Sequence, residues 1–372
     1  MTETIHSSWV EIRESALIHN LSRVRNLVPE KTLIMAVVKA NGYGHGLAIT
    51  AKVFADAGAD YLGVTTVEEG MAIRDAGVSK PVLVFSPILS EQIETALSGN
   101  LELTVCDVPS LDTLSSYAVK MNTIAKVHVK IDSGMGRLGI YPQDCAAFYA
   151  RLMRLPNIDI TGTYTHFSDA GASDRSKTLA QIKRFNDAVS QLKEGGMYTG
   201  LVHAANSAAM LYYPESLFDM VRPGTVLYGQ YPSKFSRKPL ELQDTWKFKS
   251  RITAIRRIPA GKSIGYGSEC VTRRETVAAV IPVGYSDGFT LIPESITRRR
   301  GSAVRNLASL LFGKDVSPYV LIGGKRAPVI GRVSMQMCSI DVTGLENTKV
   351  GDEVVIPARR TSVSSSIFRI LV

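Results

Sequence analysis

The stretch LIMAVVKANGYGHGLAITAKVFADAGADYLGVTT, residues 33–66, has the pattern of a strand, a helix and a second strand. This pattern is the starting point for predicting the fold. The apolar runs 33–40 and 61–66 are typical of buried strands, and the segment 46–58 between them has the periodicity of an amphipathic helix. Two strands joined by a helix favour a parallel pairing, because a parallel connection needs a long crossover.

This alternation of strands and helices continues to about residue 240. The further candidate strands are PVLVFS (81–86), LELTV (101–105), AKVHVKID (125–132), IDITGTYTHF (158–167), GLVHAAN (200–206) and TVLYG (225–229). Amphipathic segments separate them, and the longest is KTLAQIKRFNDAVSQLKEGG, residues 177–196. Eight alternations predict an α/β fold, a (β/α)8 barrel of the TIM type over residues 13–240.

The pattern changes after residue 240. Segments such as FKSRITAIRRI and TVAAVIPVGYSDG alternate with Gly, Pro and Asp turns, which is typical of antiparallel strands. We therefore predict a C-terminal antiparallel β domain over residues 241–372, to which residues 1–12, containing SWVEI, contribute a strand. The basic, irregular stretch 290–319 is predicted to be an insertion loop.

Composition excludes several classes of function. The chain has 372 residues and a net charge of +9, but its basic runs, such as 298–300 and 359–360, are short, so we expect no nucleic-acid binding. No window of 18 apolar residues and no leader pattern occurs, which indicates a cytoplasmic protein without a membrane partner. The four scattered cysteines suggest reduced thiols and no metal site.

Polar residues gather where the predicted barrel strands end. Barrel enzymes carry their chemistry at the carboxyl ends of their strands. The ends of four predicted strands carry Lys39, Lys130 with Arg137, His166, and Asn206 with Ser207, and Arg222 and Gly224 flank the predicted eighth strand. A lysine in a partly desolvated turn can have its pKa lowered from ~10.4 and form a Schiff base. A solvent-exposed strand-end lysine is the alternative interpretation of Lys39 taken alone.

The segment GMGRLG, residues 134–139, also fits the G-x-G-x-x-G pattern of dinucleotide-binding proteins, with Asp159 twenty residues later. That motif requires a helix that begins within the glycines, so that its N-terminus meets the pyrophosphate. Tyr141 and Pro142 follow instead, and the helical pattern begins only after them. We therefore do not expect a nicotinamide cofactor.

Eight segments resemble, in order, segments of the alanine racemases. They are VVKANGYGHG (37–46), HVKIDSGMGRLG (128–139), YTHFSDA (164–170), HAANSAA (203–209), VRPGTVLYG (221–229), IGYGSE (264–269), VGYSDG (283–288) and GRVSMQM (331–337). The resemblance implies pyridoxal 5'-phosphate as cofactor and alanine as substrate. It also implies D-alanine supply for peptidoglycan by a two-base mechanism, in a homodimer with shared active sites.

The resemblance also implies a role for individual residues. Lys39 would bind the cofactor covalently and act on D-alanine, and Tyr266 of the partner subunit would act on L-alanine. Lys130 would be open to carbamylation, and His166 would hydrogen-bond the catalytic tyrosine and Arg222. The expected cofactor contacts are Lys39, Tyr43, His166, Asn206, Ser207, Arg222, Gly224 and Thr225. The expected substrate contacts are Arg137, Met335 and, at the entrance, Tyr285.

Two departures from the family pattern leave alternatives open. Gln336 stands where the family usually has an acidic residue, and no tyrosine follows Tyr319, as if the C-terminus were shortened. A serine or broad-specificity racemase on the same scaffold is one alternative. A non-catalytic protein that binds pyridoxal phosphate is another, although such proteins are single barrels and lack a β domain.

Overall fold

A computed structural model describes residues 6–232, 240–291 and 317–372 of the chain. It divides into two compact units, Arg13–Thr245 and a second unit that combines Met1–Ile12 with Trp246–Val372. Most of the predicted insertion 290–319, including the basic run 298–300, lies outside the described residues.

The first unit contains a closed barrel of eight parallel strands. β1, Ser8–Ile12, belongs to the other unit. The barrel strands follow in chain order: β2 Leu33–Val37, β3 Tyr61–Val64, β4 Val82–Val84, β5 Glu102–Val105, β6 Ala125–Lys130, β7 Ile158–Tyr164, β8 Leu201–Asn206 and β9 Met220–Arg222. The predicted α/β barrel is confirmed.

Helices connect these strands, and several begin at the capping residues that the sequence supplies. The helices span Glu14–Leu27, Leu47–Asp56, Val67–Asp75, Ile93–Ser98, Val108–Lys120, Cys145–Leu152, Ser176–Glu194 and Ser207–Tyr212. Thr66 Oγ1 accepts a hydrogen bond from the Glu69 N–H, and Asp107 Oδ1 accepts one from the Ser110 N–H. Such caps satisfy N–H groups that have no partner inside the helix.

The prediction of residues 225–229 as the eighth strand is wrong. The strand is β9, Met220–Arg222, whose neighbours are β2 and β8. Residues 225–229 form a turn instead, in which the Gly229 N–H donates to the Val226 carbonyl at 3.1 Å. Pro223 has no N–H to continue the ladder, so Pro223 and Gly224 end the strand, and the buried apolar run beyond them packs without pairing.

Apolar side chains fill one part of the barrel interior. Met35, Leu83 and Met220, from β2, β4 and β9, are fully buried against one another, and Tyr61 and Phe85 pack on them. Interleaved apolar side chains of this kind make the barrel interior a packed core. Lys130, Asn206 and Arg222, the last residues of β6, β8 and β9, are therefore held on rigid strands.

The second unit is a β structure. Its strands are β1, β10 Trp246–Arg251, β11 Ala254–Ile258, β12 Ser263–Ile264, β13 Cys270–Val271, β14 Thr276–Ile281, β15 Tyr319–Ile322, β16 Lys325–Ile330, β17 Cys338–Asp341, β18 Glu353–Ile356 and β19 Phe368–Leu371. Nine of them form a sheet in the order β11-β14-β17-β16-β15-β18-β10-β1-β19, and β12 pairs with β13. The antiparallel prediction needs one correction, because β1 and β19 pair in parallel.

In the part of the chain that the structure describes, no helix has both the length and the apolar character that crossing a bilayer requires.

Candidate active site

A cavity of about 300 Å³ lies in the barrel unit. All the barrel residues assigned to the site from the sequence line it: Lys39, Tyr43, Lys130, Arg137, His166, Asn206, Ser207, Arg222, Gly224 and Thr225. The rest of the wall comes from residues that were not predicted: Val37, Phe85, Leu138, Tyr164, Ala208 and Pro232. The predicted convergence of these barrel residues is therefore present.

Lys39 begins a left-handed turn rather than ending a strand. β2 ends at Val37, and the next residues with positive φ are Ala40, Asn41, Gly42 and Tyr43, at 54°, 54°, 60° and 52°. This region costs an L-residue roughly 1–2 kcal/mol each, which glycine avoids. Asn41 and Gly42 tolerate this conformation, but Ala40 and Tyr43 do not favour it, so hydrogen bonds must help to hold the turn.

Glu69 supplies one of these bonds, and the sequence reasoning missed it. Its Oε1 accepts from the Ala40 N–H at 2.6 Å, and its Oε2 accepts from the Thr65 N–H at 2.9 Å. The only sequence signal was the T-x-x-E pattern of Thr66 and Glu69, which predicts a helix cap. In the structure the carboxylate instead joins the turn to the end of β3.

Two lysines of the cavity have lowered pKa values. Burial lowers the pKa of Lys39, the Arg137 guanidinium lowers it further, and the Glu69 carboxylate opposes the change. Burial, with the nearby Arg222 and Arg137 cations, lowers the pKa of Lys130 to about 8. A lowered pKa makes more of each amine neutral near neutral pH, and a neutral amine can act as a nucleophile or a base.

Hydroxyl and N–H groups meet around Gly224. The Gly224 N–H donates to Ser207 Oγ at 2.8 Å, and a Cβ on Gly224 would lie 2.5 Å from the Tyr43 hydroxyl oxygen. Only glycine therefore fits here without displacing Tyr43. The neighbouring Asn206 is used differently, because its Oδ1 caps the Ser207–Tyr212 helix by accepting N–H bonds at 3.1 and 3.0 Å.

Arg222 is buried, and its partners differ from those expected. Nη1 bonds His203 Nδ1 at 2.7 Å, and Nη2 donates to the carbonyls of Thr165 and Ala204 at 2.6 and 2.9 Å. The expected bond from His166 to Arg222 is wrong, since no hydrogen bond joins them in the described part of the chain. Burial lowers the pKa of Arg222 to about 10, so it remains a cation near neutral pH.

His166 is a neutral residue of the cavity wall. Burial, together with the cations Arg222, Lys130, Arg137 and Lys39, lowers its pKa to about 3. At neutral pH its ring therefore carries one proton, and it can donate one hydrogen bond and accept another.

Tyr164 is a second residue that sequence reasoning missed. Its ring stacks on His203 with centroids 5.0 Å apart, and the Arg222 guanidinium carbon and Lys130 Nζ lie 5.2 and 4.8 Å from its centroid. Two cationic groups thus lie close to one aromatic ring. No spacing in the sequence indicates this stack, because its members come from four strands.

Tyr266, the predicted second catalytic residue, lies in the β unit on the turn between β12 and β13. Its side chain is 68% exposed, and the flanking Gly265 and Gly267 have φ of 75° and 71°, values that favour glycine. Arg332 bonds Glu269 through Nε at 3.3 Å, tying the turn to the residues after β16.

Met335 and Tyr285, the other predicted site residues of the β unit, are also exposed, 58% and 43%. Backbone bonds hold their segments together, because the Ser286 N–H donates to the Met335 carbonyl at 3.0 Å and the Tyr285 N–H donates to the Ser334 carbonyl at 3.1 Å. Exposed aromatic and methionine side chains of this kind are common at protein interfaces.

Comparison with known proteins relates the whole chain to one family. Residues 12–232 match the family described as "Alanine racemase, N-terminal domain", and residues 245–367 match "Alanine racemase, C-terminal domain". The alanine racemase of Methanococcus maripaludis is 37% identical over 353 residues, which cover 94% of this chain and 89% of that protein. That of Desulforamulus reducens is 39% identical over 350 residues, with the same coverage of 94% and 89%.

Comparison with solved structures leads to the same family. The alanine racemase of Clostridium difficile 630 superposes with a TM-score of 0.90 at 30% identity, covering 100% of this chain and 97% of that one. The alanine racemase of Bacillus anthracis with bound L-Ala-P gives a TM-score of 0.86 at 28% identity, with coverage of 100% and 96%. The matches in sequence and in fold both span the barrel and the β unit, and the chain belongs to the alanine racemase family of isomerases.

Proposed function

We propose that the chain interconverts L- and D-alanine with pyridoxal 5'-phosphate held in the barrel cavity, and so supplies D-alanine for peptidoglycan. The observation that carries the proposal is the single cavity in which Lys39, the hydroxyls of Tyr43 and Ser207, and the Arg222 guanidinium converge. These groups match an aldehyde, a phosphate and an acceptor nitrogen, the three functions that the cofactor presents.

The cavity residues fit this cofactor. The space of about 300 Å³ falls in the range of small-ligand sites. The Tyr43 and Ser207 hydroxyls and the Gly224 backbone form a close cluster that a Cβ would fill, suited to phosphate oxygens. His166, Asn206 and Thr225 complete the proposed cofactor contacts. Arg222 can only donate, so it would pair with an unprotonated ring nitrogen.

The proposed mechanism assigns the proton transfers to two residues of the chain. When bound, the cofactor supplies an electron sink that makes the Cα–H of an amino acid acidic. Lys39 Nζ then removes or returns the proton on one face, and Tyr266 Oη on the other. The lowered pKa of Lys39 favours the neutral amine that must accept this proton. Arg137 holds the substrate carboxylate, and Met335 and Tyr285 complete the substrate contacts.

Lys130 is proposed to carry a carbamate. The ammonium group first loses one proton. The neutral amine then attacks the carbon of CO₂, a C–N bond forms as one C=O electron pair moves onto oxygen, and a second proton leaves nitrogen for solvent, so that the side chain ends as an anion. The pKa of about 8 supports this step, since part of the amine is neutral near neutral pH. The resulting carboxylate would pair with Arg137. Carbon-13 NMR of protein equilibrated with labelled bicarbonate should show a carbamate signal that Lys130→Met removes.

We further propose that the active unit is a homodimer in which Tyr266 serves the site of the partner subunit. The exposure of Tyr266, Met335 and Tyr285 in the β unit supports this proposal. A cytoplasmic location is supported by the cysteines, all four of which are free thiols.

Gln336 favours a second candidate function, racemisation of serine or of a broader set of amino acids. It stands beside the proposed substrate contact Met335 and is neutral where the family usually carries an acidic residue. Rates with L-alanine and L-serine, compared between the wild type and Gln336→Glu, distinguish the two candidates. A shift of preference toward alanine in the variant would support the second.

The decisive experiment follows both enantiomers of alanine by chiral chromatography with the purified, cofactor-loaded protein. We expect racemisation by the wild type and by Lys193→Ala, a surface-lysine control, and none by Lys39→Ala. Borohydride reduction and mass spectrometry should place the cofactor on Lys39. A wild type that holds the cofactor on Lys39 yet racemises neither amino acid would overturn the enzymatic function in favour of a non-catalytic binding protein.

A further inference from the structure

Four ionisable side chains form a continuous hydrogen-bonded chain inside the barrel. Arg222 Nη1 lies 2.7 Å from His203 Nδ1, His203 Nε2 lies 2.9 Å from His128 Nδ1, and His128 Nε2 lies 2.7 Å from Glu102 Oε2. All four are buried, and they come from β9, β8, β6 and β5. The chain begins in the cavity wall at Arg222 and ends at a carboxylate that does not line the cavity.

The direction of every proton in this chain follows from Arg222. A guanidinium only donates, so His203 Nδ1 must accept, and the ring proton of His203 must lie on Nε2. His128 Nδ1 then accepts that proton, and His128 donates from Nε2 to Glu102. A doubly protonated imidazole at either position would set two N–H groups against each other. Both rings are therefore neutral, each with a single tautomer.

The chain connects one positive and one negative charge through two neutral rings. The hydrogen-bond partners of Arg222 itself are an imidazole and two carbonyls. A buried cation is costly unless a counter-charge balances it. Glu102 accepts from His128, and the Thr161 hydroxyl lies 3.0 Å from the same oxygen, as suits a carboxylate.

The cavity wall has an excess of positive charge, so a negative charge near it is important. Lys39, Lys130, Arg137 and Arg222 are all cationic when protonated, and no Asp or Glu lines the cavity in the described residues. Burial and Arg222 hold the pKa of His203 well below its ordinary value, which agrees with a neutral ring. A change at Glu102 should therefore reach the cavity through Arg222.

We propose that Glu102 is the counter-charge of Arg222 and, acting through His128 and His203, a positioning residue that fixes the guanidinium for its contact with the cofactor ring. The inference rests on the proposed function, because it takes Arg222 to be the partner of the ring nitrogen. It extends the site from the cavity wall to a residue on the far side of two imidazoles.

The first test is nitrogen-15 NMR of the histidine rings in the wild-type holoenzyme, assigned with His128→Gln and His203→Gln. We expect both rings to be neutral and protonated on Nε2 only. An imidazolium at either position, or a proton on His203 Nδ1, overturns the proposal. This result needs no activity and no substitution at Glu102.

The second test removes the charge but keeps the acceptor. In Glu102→Gln holoenzyme, the amide oxygen can still accept from His128, so we expect the fold and the tautomers to persist. We expect kcat to fall about tenfold with little change in KM, and the resonance of a cofactor labelled at its ring nitrogen to shift. Glu94→Gln, at an exposed carboxylate that pairs with Lys120 on the surface, is the matched control and should change neither.

A double-mutant cycle connects the effect to Arg222. In an Arg222→Lys background, Glu102→Gln should add little to the loss of kcat, since the guanidinium it positions is gone. Full additivity would overturn the proposal. So would unchanged kcat and resonance in Glu102→Gln when the wild type is active.

The two failures are distinguishable. If the wild type lacks racemisation and its labelled ring nitrogen shows no contact with a donor, the proposed function has failed, while the tautomers still decide whether the chain to Glu102 exists. If Glu102→Gln does not fold, two other measurements test the proposal. One is the tautomers of His128 and His203 in the wild type, and the other is the ring-nitrogen resonance of the labelled cofactor in Arg222→Lys.

Discussion

The carboxylate of Glu69 accepts a hydrogen bond from the backbone N–H of Ala40 at 2.6 Å. Ala40 follows Lys39 directly and has a φ of 54°, so this bond fixes the first left-handed residue after the lysine. The same carboxylate raises the pKa of Lys39 against the lowering by burial and by Arg137. Glu69 thus affects both the position and the charge of the amine.

Glu69→Gln should therefore lower the pKa of Lys39 further, because the protonated amine loses a nearby negative charge. The acidic limb of the pH profile of kcat, which reports groups of the complex with substrate, should move to lower pH, and the maximal kcat should fall because the turn is held less firmly. The control is Glu68→Gln, at an exposed neighbour whose carboxylate bonds Gln92. An unmoved acidic limb in Glu69→Gln would contradict the assignment.

Gly224→Ala should weaken cofactor binding. The added Cβ would lie 2.5 Å from the Tyr43 hydroxyl oxygen and 3.1 Å from the ring carbon that bears it, so Tyr43 must move. Overpacking of this kind costs about 1–3 kcal/mol, which corresponds to binding that is roughly 5-fold to 150-fold weaker. Titration of apoprotein with cofactor measures the loss. In a Tyr43→Phe background, compared with Tyr43→Phe alone, Gly224→Ala should cost less, because the nearest atom is gone. Wild-type affinity in Gly224→Ala would contradict the proposal that Tyr43, Ser207 and Gly224 form a close phosphate site.

His166 should make the protein sensitive to mild acid. Its pKa of about 3 in the folded state lies below the ordinary 6.5 of the unfolded chain, so the unfolded chain binds the proton more tightly between these values. The free energy of unfolding should then be unaffected by His166 above about pH 6.5, and should fall as the pH drops from there toward about 3. Denaturant titrations at several pH values and one protein concentration measure this slope. His166→Gln should show a shallower slope, and an identical slope would refute the burial argument.

Shared active sites can be tested by subunit complementation. Lys39→Ala and Tyr266→Phe homodimers should each be nearly inactive. If Tyr266 serves the partner subunit, the mixed dimer contains one site with both residues intact. A random mixture should then recover roughly a quarter of the wild-type sites, by the symmetry of a two-fold dimer. Chiral chromatography after unfolding and refolding the mixture gives the recovery. No recovery would mean that both residues come from one chain.

Those parts of the fold in which the local sequence pattern matches the tertiary structure can be predicted from the sequence. Alternating apolar runs and helical segments suffice for the barrel, and the motifs identify the barrel residues of the cavity wall. The error at residues 225–229 arose because an apolar run suits a buried turn as well as a strand, although Pro223 and Gly224 marked the true end. The parallel pairing of β19 with β1 was not predicted, because it joins segments from opposite ends of the sequence.

Other features depend on contacts that no local pattern contains. Ala40 and Tyr43 disfavour positive φ, so their left-handed conformation comes from the structure around them. Arg222 bonds His203 instead of the expected His166, because a histidine inside β8 and one just after the neighbouring β7 look alike in a sequence. Only the direction in which each side chain points separates them.

The left-handed turn after Lys39 has a consequence for protein engineering. Its backbone has the hand that D-residues prefer, yet L-alanine, L-asparagine and L-tyrosine occupy it, with glycine at only one of the four positions. We therefore expect that VVKANGYGHG, inserted into another barrel, would adopt a right-handed backbone unless a carboxylate equivalent to Glu69 were introduced as well. A D-alanine introduced at position 40 by chemical synthesis should, by contrast, adopt the turn without that help.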